Sequence, residues 1–90
     1  MSETVSMKNR DRFIQLGITI AAYRKLRGMS RYDLADRSNV SRSYISSIEA
    51  PNIVRPFSLE ILYNIADALE VEPSDLLDAS MFPDKTRDKK

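Results

Sequence analysis

Between Ser30 and Glu49 the chain encodes two helix starts and one sharp helix exit. Ser30 can accept a backbone N–H at the head of a helix, and Asp33 stands where a carboxylate can reach back, an acidic variant of the capping box. Leu34 and Ala35 give that helix its inward face. Asn39 tolerates the left-handed conformation that a tight exit demands, so the helix is expected to end near Ser38. Val40 then serves as an apolar plug, and Ser41 caps a further helix running to about Ala50, where Pro51 prevents continuation. Two short helices joined this closely form one supersecondary unit, a helix-turn-helix, and need a common core beneath them.

The flanking sequence supplies that core. From Arg12 to Arg27 the residues Phe13, Leu16, Ile20 and Tyr23 recur at helical spacing, and Gly28 is placed to end the segment in a left-handed cap. Asn52 to Phe57 reads as a loop with unusual apolar content in Ile53, Val54 and Phe57. Ser58 caps a fourth helix whose expected inward stripe is Leu59, Leu62, Ile65, Ala66 and Leu69. Pro73 suits the first turn of a short fifth helix holding Leu76 and Leu77. The expected fold is all-α, a five-helix bundle with the helix-turn-helix formed by helices two and three. Its bounds are residues 12–82, between a flexible amino-terminal arm (1–11) and a disordered charged tail (83–90).

With no cysteine and no histidine, the chain lacks disulfides, thiolate metal sites, catalytic thiols and the usual general base at neutral pH. It therefore reads as a non-enzyme that requires neither metal nor cofactor. The polar stretch Met1 to Arg12 lacks the apolar centre of a signal peptide, and no apolar run approaches the ~18 residues of a membrane helix, so a cytoplasmic location is expected.

Charge is segregated along the chain. Lys8 to Tyr44 carries nine basic residues against three acidic ones, net +6, whereas Ser58 to Asp84 carries seven acidic residues and no lysine or arginine, net −7. A domain built this way presents one side that attracts a polyanion. The third helix suits that side. With Ile45 and Ile48 as its buried stripe, Ser43, Ser46 and Ser47 point away from the core, with Arg42 and Tyr44 flanking the stripe. Short hydroxyl side chains let a helix approach base edges in a major groove, and an arginine in the first turn can reach guanine O6 and N7 with two parallel hydrogen bonds.

These residues resemble the phage-repressor-like helix-turn-helix domains, the Cro and repressor group also called XRE-type or lambda-repressor-like. The resemblance runs from Leu16 to Leu77. It rests on Leu16-Gly17 and Ile20, on Tyr23-Arg24 and Arg27-Gly28-Met29-Ser30, on Leu34-Ala35, on Val40 to Ser46 with Ile48-Glu49, and on Leu59-Glu60, Leu62, Ile65-Ala66 and Ala68-Leu69. It implies a nucleoid-associated bacterial or phage regulator, with repression the expected sign, that binds paired operator half-sites in double-stranded DNA as a homodimer. It implies base reading by Arg42, Ser43 and Ser47, backbone or sugar contacts from Arg31, Ser41, Tyr44 and Ser46, and a structural salt bridge between Arg24 and Glu49. Three departures stand out, one being that the outer face of the third helix carries serines where longer amides are common. Arg31 replaces the family's usual glutamine, and Ala50-Pro51 stands where glycine usually follows the glutamate, so the chain should leave the third helix by another path. The alternative is a protein-interaction module, an antitoxin or adaptor, docking a partner through Ile53, Val54, Phe57, Met81 and Phe82.

Overall fold

The computed structural model describes residues 5–78. These form five helices in the order α1 (Met7–Leu26), α2 (Arg31–Ser38), α3 (Arg42–Glu49), α4 (Leu59–Leu69) and α5 (Pro73–Leu77), and no strand is present among the described residues. The proposed tail 83–90, together with Met81 and Phe82, lies outside them.

α1 begins at Met7 rather than Arg12, so the latter part of the expected arm is helical. The Ser6 carbonyl starts it by accepting the N–H groups of Asn9 and Arg10. Met7 to Arg12 form an exposed or half-exposed extension whose polar composition hid the helix from periodicity arguments. The helix closes as expected on Gly28, at φ 71°, with Gly28 N–H donating to Lys25 O and Met29 N–H to Arg24 O, each at 3.0 Å.

The core is one cluster. Ile20 of α1, Leu34 of α2, Ile45 of α3, Ile65 and Leu69 of α4 and Leu76 of α5 are fully buried, and burying each such side chain stabilises the fold by about 1.5–3 kcal/mol. Around it α2 packs on α3 and α4, α1 on α3 and α5, and α4 on α5. Gly17 sets the approach of α1 to α3, because a Cβ there would fall on the Ile48 carbonyl oxygen. Leu59 departs from the expected stripe: it sits in the first turn of α4, beyond the core, and is 62% exposed. Phe57 is half-buried instead, edge-on to Phe13 with ring centroids 6.1 Å apart.

The basic half of the sequence is not all surface. The Arg27 guanidinium donates to Leu69 O (2.7 Å) and Glu70 O (3.1 Å), satisfying carbonyls that α4 leaves unpaired at its carboxyl end. Glu70 takes the left-handed conformation there, φ 63°, an unusual role for a glutamate. Arg24 is buried outright.

Candidate nucleic-acid interface

The helix-turn-helix is built by the local chemistry of its serines and one asparagine. Ser30 Oγ accepts the Asp33 N–H (3.0 Å) while Asp33 Oδ2 accepts the Ser30 N–H (2.9 Å), closing a reciprocal cap on α2. The Ser30 backbone N–H, and then its hydroxyl, hold the Asp33 carboxyl below its ordinary pKa of 3.8. Asn39 turns the chain at φ 60°, and Val40 N–H returns to Ala35 O at 3.1 Å. Val40 packs against the core, and Ser41 Oγ caps α3 by accepting the Tyr44 N–H at 3.1 Å. At the far end Ala50 is extended (φ −69°, ψ 121°), as a residue before proline must be, so the chain leaves α3 without a left-handed turn.

With Ile45 and Ile48 buried, α3 turns Arg42, Ser43 and Ser46 to solvent. Ser41 is also exposed, 3.5 Å from Ser43 between hydroxyl oxygens. Ser47 is placed less freely than its outward position on a helical wheel implies. It is half-buried and its hydroxyl donates to Tyr44 O at 2.8 Å, which leaves lone pairs but no free proton. Tyr44 is half-buried against the core, and the Arg55 guanidinium lies over its ring, 4.3 Å from the centroid. Arg42 likewise lies over the ring of Tyr32, at 3.8 Å. Tyr32 and Arg55 were not among the sequence-derived site residues. A tyrosine among the polar residues of α2, beside Arg31 in sequence, was the available signal for the first of them.

Arg24, Arg31 and Glu49 form one network. Arg24 Nε and Nη2 donate to Glu49 Oε2 (2.8 Å) and Oε1 (2.9 Å), a two-bonded guanidinium–carboxylate pair, while Arg24 Nη1 donates to Met29 O at 2.8 Å. The Arg24 and Glu49 side chains are 8% and 1% exposed. Arg31 Nε adds a third hydrogen bond, 3.0 Å to Glu49 Oε1, from a side chain 54% exposed. One carboxylate at the end of α3 thus ties in α1 and α2, and it anchors the stem of an arginine whose terminal nitrogens remain at the surface. Among the described residues no group of carboxylates has an arrangement that could hold a metal ion. No described helix is long and apolar enough to cross a membrane.

A family model described as helix-turn-helix matches residues 20–76. The chain is 42% identical over 64 residues to the HTH-type transcriptional regulator SlrR of Bacillus subtilis (strain 168), covering 71% of this chain and 41% of that protein. It is 38% identical over 63 residues to the HTH-type transcriptional regulator SinR of the same organism, covering 70% and 56%. The chain therefore spans about half the length of the curated relatives it matches. A solved structure of SinR in complex with DNA superposes with a TM-score of 0.64 at 38% identity, covering 70% of this chain and 98% of that one. A SinR/SinI complex gives 0.67 at 35% identity, covering 82% and 72%. With the capped helix pair, the core beneath it and these matches in agreement, the chain belongs to the helix-turn-helix family.

Proposed function

We propose that this protein is a sequence-specific transcriptional regulator that binds double-stranded DNA and reads the major groove with α3. The observation that carries the reading is the two-sidedness of α3: its isoleucines are sealed into the core while Arg42, Ser43 and Ser46 form a solvent face on which the arginine is the only large side chain that α3 contributes. Arg42, Ser43 and Ser47 are assigned to base edges, Ser47 as an acceptor only because its proton is engaged. Arg31, Ser41, Tyr44 and Ser46 are assigned to phosphate, sugar or a thymine methyl. The SinR structure with DNA is a relative's precedent for such a complex.

Repression is the expected sign, a homodimer on paired half-sites the expected assembly, and the cytoplasm the expected place. Selection of bound duplexes from a random pool tests the assembly. Half-site centres about 10 base pairs apart support two copies on one face of the duplex, whereas a single half-site speaks for a monomer. Titration against salt tests the DNA reading itself. Neutralising about five phosphates gives a log–log slope near −4 to −5, and a chain with no duplex affinity would sink the proposal.

A second reading, docking to a protein partner through the loop after α3, is favoured by Ile53, which is 47% exposed, and by the SinR/SinI complex as a precedent in a relative. Within the described residues that surface is smaller than the sequence implied, because Phe57 packs against Phe13.

A further inference from the structure

We infer that Tyr32, on the first turn of α2, is a positioning residue for base readout: its ring holds the Arg42 guanidinium in the direction in which it meets the duplex. The inference rests on the DNA-binding reading above and adds a residue that reading leaves unused. Arg42 is the first residue of α3 and is exposed, and a side chain with so many rotatable bonds samples many directions unless something meets it. Here its Cζ lies 3.8 Å from the Tyr32 ring centroid, van der Waals distance for a face contact between a cation and a π system. Tyr32 lies outside the core cluster and is 62% exposed, so burial does not explain a large ring at this position.

The contact occupies only a face of the guanidinium. Its N–H groups radiate in the plane, and no acceptor among the described residues takes one from Arg42. The paired donors are therefore available for a guanine edge while the stack persists. Neighbouring residues hold the first turn of α2 along α3 at both ends: Arg31 bonds Glu49, the last residue of α3, and Tyr32 meets Arg42, the first. A displacement of either helix would redirect Arg42, and the ring opposes it.

The test measures binding of the full chain to a selected duplex and to its single-base-pair variants, with Arg42→Ala identifying the pair that Arg42 reads. Tyr32→Leu is expected to reduce the preference at that pair about two- to fivefold, the range of an exposed cation–π contact, with the other pairs unaffected. Tyr32→Phe, which keeps the ring, is expected to retain the preference. In an Arg42→Ala background Tyr32→Leu should have no further effect, a result that loss of general helix packing would not produce. Equal effects in both backgrounds, equal losses for Tyr32→Phe and Tyr32→Leu, or no change in Tyr32→Leu would each overturn the inference. If the unmodified chain selects no duplex, the DNA-binding reading fails and the inference with it. If Arg42→Ala leaves every preference in place, only the role of Arg42 and its positioning residue fails.

Discussion

Removal of the Glu49 carboxylate is the sharpest test of how this fold is held together. Glu49→Ala deletes the acceptor of three side-chain hydrogen bonds, two from Arg24 and one from Arg31. The bond to Arg31 contributes at most about 1 kcal/mol, because that arginine is half-exposed and water can replace its partner. Arg24 is different. Its side chain is 8% exposed and would keep only Met29 O as a partner, leaving a buried charge uncompensated at a cost of about 3–5 kcal/mol. Against a total stability of ~5–15 kcal/mol for a small domain, that is from about a fifth to the whole of it. The melting temperature should fall by roughly 15–35 °C, followed by far-UV circular dichroism and urea titration. The double variant Arg24→Met with Glu49→Leu removes both charges and fills similar space, so it should recover most of the loss and show strong non-additivity. A cost below about 1 kcal/mol for Glu49→Ala, or additive losses in the double variant, would refute the reasoning.

Four further outcomes follow from the same geometry. Gly17→Ala should destabilise the fold by at least about 1–3 kcal/mol in urea titration, since its Cβ must displace the Ile48 carbonyl and push α1 off α3. Asp33 titrates below its ordinary 3.8 in the folded chain, so its stabilisation is complete above that value and is lost as pH falls through the lower folded value. Asp33→Asn should accordingly flatten the acid limb of a stability–pH curve. Arg27→Ala should cost about 0.5–1 kcal/mol through the carboxyl end of α4, seen as faster amide exchange in its last turn. Arg42→Ala should weaken a selected duplex by roughly 1–3 kcal/mol while sparing random duplex, whereas Arg31→Ala should weaken both alike; equal losses for Arg42→Ala on the two duplexes would remove it from the base readers.

Much of this fold was legible because its decisive chemistry is local. Ser30, Ser41 and Ser58 each cap a backbone N–H three residues on, and Asn39 and Gly28 meet a steric demand set by their own φ angles. Isoleucine spacing in α3 was enough to place Ser43 and Ser46 on its outer face, but not to show that Ser47 is half-buried with its hydroxyl turned back onto Tyr44 O. The misses share a cause: each depends on a residue distant in sequence or on where an element ends relative to the core. Arg27 caps a helix whose carbonyls lie 42 and 43 residues away, and Glu70 accepts a left-handed conformation within that closure. Leu59 had the right spacing but stands one turn beyond the core. At the candidate site, the third hydrogen bond to Glu49, from Arg31, and the two arginine–tyrosine stacks pair side chains across separate elements, which no periodicity records.

On the proposed DNA-binding reading, these long-range contacts bear on how so small a surface discriminates among sequences. On the solvent face of α3 only Arg42 is long enough to span a base pair, because Ser43 and Ser46 end at a hydroxyl and Ser47 is turned back onto Tyr44 O. A serine hydroxyl donates to or accepts from any base, so it discriminates weakly, whereas two parallel guanidinium bonds favour guanine by about 1–3 kcal/mol. Preference should therefore be concentrated at one base pair in each half-site and shallow at its neighbours, apart from what duplex shape adds. A selected motif with several equally steep positions, unaltered by Arg42→Ala, would contradict this. Concentrating discrimination in one side chain makes its direction matter more than the number of contacts, and that gives the Tyr32 ring and the Glu49 carboxylate a common physical purpose. The carboxylate fixes α2 against α3, and the ring fixes the arginine against both.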